Sequence, residues 1–196
     1  QHETYIRNIN AVLAGRPDDL AITTHMCRGN FRSSWAAEGS YDFVAEALFS
    51  ELDVDGFFLE YDDERSGGFE PLRFVPPGKQ VVLGLVTTKT GALEDKDALK
   101  RRIDEAARFV PLDQLCLSPQ CGFSSTVEGN SLTVDEEKAK LALIVETAAE
   151  GLVLVSADGI VTFANAQAER MLDLPPGGLV GLEFSALAVA GTVDQG

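Results

Sequence analysis

Apolar and polar positions alternate along the first 150 residues in a way that predicts strands separated by helices. Four short apolar runs have the pattern of buried strands: 20–24, 56–60, 81–86 and 114–117. Amphipathic spacing predicts four helices: 2–14, 41–52, 95–109 and 135–149. Because alternating strands and helices favour a parallel sheet, we expect an α/β fold, either an open doubly wound sheet or part of a barrel.

The pattern changes at about residue 147, where turn-linked strands replace helix-linked ones. Residues 151–164 predict a β-hairpin, because Asp158-Gly159 supplies the positive φ angles of a tight turn. A short helix is expected from Ala166 to Leu172. We therefore divide the chain into two domains, residues 1–149 and residues 150–196.

Charge excludes several classes of protein. The 196 residues include 16 Lys and Arg against 31 Asp and Glu, and the net charge of −15 repels nucleic-acid phosphates and anionic membrane surfaces. No segment approaches the ~20 apolar residues of a membrane span, and residues 1–20 lack the order of a signal peptide. We expect a cytoplasmic protein that binds neither nucleic acid nor membrane. A first residue of Gln suggests that upstream sequence has been removed.

Candidate metal ligands lie at the carboxyl ends of the predicted strands. Residues i and i+2 of an extended segment point to the same side, so His25 and Cys27 converge after the first strand. Glu60 ends the second strand and Cys121 follows the fourth, and the carboxyl ends of parallel strands meet at one edge. Nitrogen, thiolate and carboxylate donors suit Zn²⁺. The alternative is a hydrogen-bonded histidine with cysteines buried as small apolar residues.

Four segments resemble the carboxyl-terminal half of the zinc barrel of cobalamin-independent methionine synthase. They are THMCRGNF (24–31), FFLEYDDERSGGFEPLRFVP (57–76), VVLGLVTTKTG (81–91) and LCLSPQCGFSST (115–126). The resemblance covers about residues 1–149 and implies the C-terminal half of a TIM (β/α)8 barrel with four parallel strands. It also implies a zinc cofactor held by four residues: His25, Cys27, Glu60 and Cys121.

The resemblance further implies transfer of a methyl group from 5-methyltetrahydropteroyl(poly)glutamate to homocysteine, giving methionine. Three cations are candidates for binding the substrate carboxylates, or are ordinary surface cations: Arg28, Arg65 and Lys89. Asp62 and Asp63 could orient the ligands, although a charge run in a loop is usually solvated. Cys116 is expected in the core. The family has a histidine where this chain has Thr87-Thr88-Lys89, so the catalytic proton donor is not identified.

The length leaves room for only about half a barrel, since a complete one usually needs roughly 250 residues. A half-barrel has open strand edges, so we expect self-association or an N-terminal half-barrel partner. Residues 143–174 resemble the start of a PAS sensory domain, which would be partial over about 143–196. Two hypotheses follow: a zinc-dependent methyltransferase, or a non-catalytic barrel remnant fused to a PAS-like signalling or dimerisation module.

Overall fold

The computed structural model describes residues 2–190 of the chain. Contacts within it define two compact units, Gln1–Leu141 and Ala142–Gly196. The part of the predicted second domain beyond residue 190 lies outside the described residues. Across residues 2–190, no helix is both long enough and apolar enough to cross a membrane.

The first unit contains four strands: β1 (Thr23–Met26), β2 (Gly56–Glu60), β3 (Gln80–Val86) and β4 (Leu115–Pro119). It also contains the helices α1 (His2–Leu13), α2 (Ala45–Glu51) and α3 (Lys96–Ala106). Helix α4 (Val134–Thr147) begins in the first unit and ends in the second. Short 3₁₀ turns occupy Glu64–Ser66, Glu70–Phe74 and Leu112–Gln114.

The four strands form one parallel sheet in the order β1-β2-β3-β4. The predicted α/β fold with four parallel strands is confirmed. On one face of the sheet, Phe57, Leu59 and Leu83 are buried. Phe49 of α2 packs edge-on against Phe57, with 4.9 Å between the ring centroids. This face therefore forms the apolar core beneath α2.

The opposite face carries one residue from each strand in register: His25, Phe58, Val82 and Cys116. Cys116 is exposed, so the expectation that it lies in the core is wrong. The apolar neighbours Leu115 and Leu117 suggested burial, but side chains alternate between faces and Cys116 points away from the helix-covered face.

Strand β1 begins three residues later than predicted. The backbone N–H of Leu20 donates to the carbonyl of Pro17 at 3.1 Å, which closes a turn, and the ladder with β2 starts at Thr23 opposite Gly56. As a result His25 lies inside the ladder rather than after it, and its side chain is fixed in register with Phe58.

Strand β3 passes very close to its neighbours at Gly84, where the register with β4 shifts. A Cβ atom added at Gly84 would lie 2.8 Å from the carbonyl oxygen of Leu59 and 2.8 Å from the Cα of Gln120. Both are backbone atoms, so no side chain fits without moving a strand.

The second unit contains the antiparallel hairpin β5 (Val153–Val155) and β6 (Val161–Ala164), then α5 (Ala166–Met171) and α6 (Phe184–Ala190). The predicted hairpin and short helix are present, whereas α6 was not predicted because its small apolar residues carry no helical period. A small core forms around Val161, Ala168 and Leu179. Asn165 caps α5 by accepting from the N–H of Ala168 at 2.9 Å.

Candidate metal centre

Three side chains of types that commonly bind metals meet at the carboxyl edge of the parallel sheet. One ligand atom from each of His25, Cys27 and Cys121 lies within 4.8 Å of the others. The Sγ of Cys121 lies 3.5 Å from Nε2 of His25. His25 and Cys27 are exposed, and Cys121 is half-buried. We call these three residues the ligand cluster.

The donors of the ligand cluster fit zinc, because one imidazole and two thiols are a common set for that ion. Burial raises the pKa of the Cys121 thiol to about 12, and the neighbouring Cys27 and the charge of Glu60 act in the same direction. Without a cation the Cys121 sulfur therefore keeps its proton at neutral pH, and binding of a cation must displace it.

Glu60, the fourth predicted ligand, is not part of the three-residue group. Its side chain is fully buried, and Oε1 accepts hydrogen bonds from Arg65 at 3.0 Å and from Lys89 at 3.1 Å. Its Oε2 accepts from the backbone N–H of Arg28. The carboxylate is near enough for its charge to raise the pKa of Cys121. Ligation by Glu60 stays a prediction.

Glu60 belongs to a set of charges that we call the ion-pair cluster: Arg28, Glu60, Asp62, Asp63, Arg65 and Lys89. Of these six, only the Asp63 side chain is substantially exposed. Lys89 Nζ binds Asp62 at 2.8 Å, and Arg65 Nε binds Asp63 at 2.8 Å. The Arg28, Arg65 and Lys89 side chains are at most 11% exposed, so they are not ordinary surface cations. The Asp62 side chain is 1% exposed, so it is not solvated either. Binding of substrate carboxylates by the three cations stays a prediction.

Tyr41, which the sequence analysis did not single out, joins the ends of β1 and β2. Its hydroxyl donates to the carbonyl of Met26 at 2.8 Å and accepts from the N–H of Glu60 at 2.8 Å. Burial raises the pKa of Tyr41, so the hydroxyl keeps its proton. The Arg28 guanidinium stacks on the same ring at 4.2 Å. Tyr41 therefore fixes the spacing between the His25 strand and the Glu60 strand.

Three buried polar residues next to the ligand cluster were also missed: Asn30, Thr88 and Gln120. Gln120 directly precedes Cys121 and donates from Nε2 to its sulfur at 2.8 Å. A polar residue between a strand and a candidate ligand was the only sequence signal available for it.

An open groove of about 350 Å³ adjoins the ligand cluster on the same face of the sheet. Its lining includes His25 and Cys121 together with Phe58 and Phe123. The groove therefore combines potential metal ligands with apolar walls, as small-molecule sites commonly do.

Comparison with known proteins identifies the family to which the chain belongs. Residues 6–150 match the sequence model described as "Cobalamin-independent synthase, Catalytic domain", which is well over half of the chain. The chain belongs to the cobalamin-independent synthase family. Residues 139–192 match the PAS fold. Both predicted resemblances are confirmed.

Relatives of this synthase domain are longer proteins. The chain is 60% identical over 147 residues to the uncharacterized protein YxjG of Bacillus subtilis strain 168, covering 74% of the chain and 39% of YxjG. It is 24% identical over 108 residues to the 5-methyltetrahydropteroyltriglutamate-homocysteine methyltransferase of Bacillus velezensis, covering 55% of the chain and 13% of that protein.

The synthase domain also resembles a solved structure, that of a candidate vitamin-B12-independent methionine synthase from Listeria monocytogenes. The TM-score is 0.56 at 40% sequence identity, and the match covers 76% of the chain and 41% of the Listeria protein. The chain thus spans about two fifths of this structure and of YxjG. It is a partial methionine-synthase-like barrel, as predicted.

Proposed function

We propose that this chain supplies the zinc-binding half of a methyltransferase that makes methionine from homocysteine. The observation that carries the proposal is the meeting of the His25, Cys27 and Cys121 ligand atoms within 4.8 Å of one another. Family membership and the methyltransferase of Bacillus velezensis supply the substrate class, homocysteine and a methylated folate.

In the proposed reaction, a bond forms between the homocysteine sulfur and the methyl carbon while the bond from that carbon to N5 of the folate breaks. N5 keeps the electron pair and takes up a proton. Bound zinc would hold the homocysteine sulfur as a thiolate, the nucleophilic form of a thiol. His25, Cys27 and Cys121 would bind the ion, with Glu60 as the proposed fourth ligand.

The chain's own residues orient this site. Tyr41 holds the β1 and β2 ends together, and the groove beside Cys121 offers Phe58 and Phe123 as apolar walls for a substrate. No proton donor for N5 is assigned, because Thr88 is fully buried and Lys89 is paired with Glu60 and Asp62.

Zinc stoichiometry of the purified chain tests the proposal. We expect about one zinc ion per chain, removable by a chelator, and near-complete loss of zinc in Cys27→Ser and in Cys121→Ser because each removes one of three thiol or imidazole donors. Cys116→Ser is the matched control, since Cys116 is exposed on β4 outside the ligand cluster. Full zinc content in both test variants would refute the proposal.

Methyl transfer itself is proposed to need the rest of the barrel. β1 and β4 are the two edge strands of the sheet, and an edge strand presents unpaired backbone groups to a partner. A second copy of this chain or an N-terminal half-barrel would cover them. Homocysteine methylation should therefore appear, or rise strongly, when the N-terminal half of a relative such as YxjG is added to the zinc-loaded chain. The assay uses a buffer with the pH and salt concentration of the cytoplasm.

The second unit favours a different function, association through the PAS-like segment. The PAS fold match at 139–192 coincides with a unit that exposes large apolar side chains, among them Leu154 at 62% and Met171 at 68%. Concentration-dependent dimerisation measured by light scattering, lost in Leu154→Glu and kept in Val127→Glu of the first unit, would support this candidate. If the chain binds no metal and dimerises in this way, association through the PAS-like segment would replace methyl transfer as the proposed function.

A further inference from the structure

A chain of hydrogen bonds runs from Asn30 to the sulfur of Cys121. Asn30 Nδ2 donates to the Thr88 hydroxyl at 2.9 Å, and that hydroxyl donates to Gln120 Oε1 at 3.3 Å. Gln120 Nε2 then donates to Cys121 Sγ at 2.8 Å. Asn30, Thr88 and Gln120 are at most 7% exposed, so water does not compete for these bonds.

The Thr88 hydroxyl sets the donor-to-acceptor direction of this series of hydrogen bonds. A hydroxyl has a single proton, so when Thr88 accepts from Asn30 it can donate to Gln120, and the Gln120 oxygen is then turned toward Thr88. The Gln120 amide consequently presents its NH₂ group to the sulfur. The reverse orientation would direct oxygen lone pairs at Cys121, which would oppose the thiolate form that binds a cation.

The backbone around Gln120 is anchored independently of these side-chain hydrogen bonds. The N–H of Gln120 donates to the carbonyl of Val86 at 2.7 Å, at the end of β3. Asn130 Nδ2 donates to the carbonyl oxygens of Thr88 at 3.1 Å and Gly122 at 3.2 Å. Thr88 and the segment that carries Cys121 are therefore held together from both sides.

We propose that Gln120 is a positioning residue that aims the Cys121 sulfur at the ligand cluster through its Nε2–H donor, with Thr88 and Asn30 fixing the amide orientation. The inference rests on the proposed metal site and names residues beyond its ligands. Partners that orient a metal ligand commonly change metal affinity by roughly 10- to 100-fold when they are removed.

Cobalt binding to the whole chain tests the inference, because Co²⁺ replaces Zn²⁺ and thiolate ligands give it a charge-transfer absorption band. Gln120→Leu removes the donor, and Gln120→Glu keeps the size and the acceptor for Thr88 but replaces the donor with an oxygen. Both should weaken Co²⁺ binding by roughly 10- to 100-fold and shift the charge-transfer band. Because Gln120→Glu also places a carboxylate at a buried position, the charge-neutral Thr88→Val is the variant that a role in packing alone would leave unchanged in Co²⁺ affinity and band position.

Thr88→Val changes a residue that is distant from Gln120 and Cys121 in sequence and makes no hydrogen bond to the sulfur. It should weaken Co²⁺ binding and shift the band because the Gln120 amide loses its orientation, whereas Thr88→Ser should restore both. Unchanged affinity and an unchanged band in Gln120→Glu and Thr88→Val together would overturn the inference. If Gln120→Leu does not fold, these two variants decide.

A measurement without metal separates this inference from the proposed function. In the metal-free chain labelled with ¹⁵N-glutamine, the side-chain NH₂ resonances of Gln120 should shift in Cys121→Ala and stay in place in Cys116→Ala. If wild type binds no Co²⁺, the proposed function fails and the inference that rests on it fails too; if wild type binds Co²⁺, this shift tests the inference separately from the proposed function. No shift in Cys121→Ala would overturn it.

Discussion

The ligand cluster and the ion-pair cluster share the carboxyl edge of one sheet, yet they differ in what surrounds them. The ligand cluster is open to solvent at His25 and Cys27. In the ion-pair cluster, every one of the carboxylates of Glu60, Asp62 and Asp63 contacts a cation, and Glu60 is completely buried. The ligand cluster is therefore accessible to an ion or molecule from solvent, whereas the charges of the ion-pair cluster are already paired with one another.

This difference indicates a division of roles. Removing a partner from a buried, compensated set leaves an uncompensated charge, so the ion-pair cluster should dominate the stability of the metal-free fold. The exposed side chains of His25 and Cys27 contribute little to that stability, so they should matter only when a metal is present.

The largest effect is expected in Glu60→Ala, which removes from a nearly buried site the carboxylate that Arg65 and Lys89 share, and leaves the two cations with only Asp62 and Asp63 as acidic partners. We expect the free energy of unfolding of the metal-free chain to fall by about 3–5 kcal/mol, measured by urea denaturation. Glu60→Gln keeps the volume and tests the charge alone. Glu64→Ala, at an exposed neighbouring position, is the control and should change little. A loss of stability in Glu60→Ala as small as that in Glu64→Ala would show that the ion-pair cluster does not dominate the stability of the metal-free chain.

A smaller effect is expected from zinc. At a free zinc concentration about 100 times Kd, the free energy of unfolding should rise by about 2.7 kcal/mol. Cys27→Ser should abolish this gain while changing the metal-free stability by no more than about 0.5 kcal/mol, because Cys27 is exposed. Cys116→Ser should keep the full gain. Thermal or chemical denaturation with and without zinc checks both statements, and a gain retained in Cys27→Ser would contradict them.

Zinc affinity should also depend on pH. The pKa of Cys121 is raised to about 12 by burial, so its proton is present across the neutral range and must leave when a metal binds. Affinity should therefore increase with pH, by about tenfold per unit for each proton displaced, between about pH 6 and pH 8. Competition titrations with a chelator of known pH dependence measure this slope, and a flat profile would be inconsistent with thiol ligation.

The smallest effect is expected at Asp63, whose side chain is 43% exposed although it binds Arg65. Asp63→Asn should lower the free energy of unfolding by only about 0.2–1 kcal/mol, as exposed ion pairs usually do. Asp62→Asn is the matched comparison, because Asp62 is 1% exposed and bound to Lys89. Denaturation curves should show the larger loss for Asp62, and equal losses would mean that burial does not separate the two positions.

Hydrophobic patterning was sufficient to predict the strands, because β2 and β3 are apolar on both faces and the sequence segments that flank them are more polar. It could not predict register. The start of β1 is set by its pairing with Gly56 and by the turn that Leu20 closes, and neither depends on the local run of apolar residues. Cys116 was misplaced because period-two alternation does not say which face the helices cover.

The residue types of the ligand cluster were predictable, since His25, Cys27 and Cys121 carry chemistry that few other residues offer. Their supporting residues were not. Tyr41, Thr88 and Gln120 act through hydrogen bonds to residues far away in sequence, and those partners are known only once the chain is folded. The same holds for Asp62, which resembles a solvated loop residue until Lys89 is placed beside it.

Two glycines at this edge set different limits on changing the shape of the groove. Gly84 has no room for even a methyl group, so a library randomised at that codon should return glycine alone. Gly122 lines the groove, and a Cβ added there would meet nothing within 4 Å. Selection for thiols smaller than the proposed substrate, homocysteine, should therefore accumulate changes at position 122, where an added side chain fills space, and leave position 84 untouched.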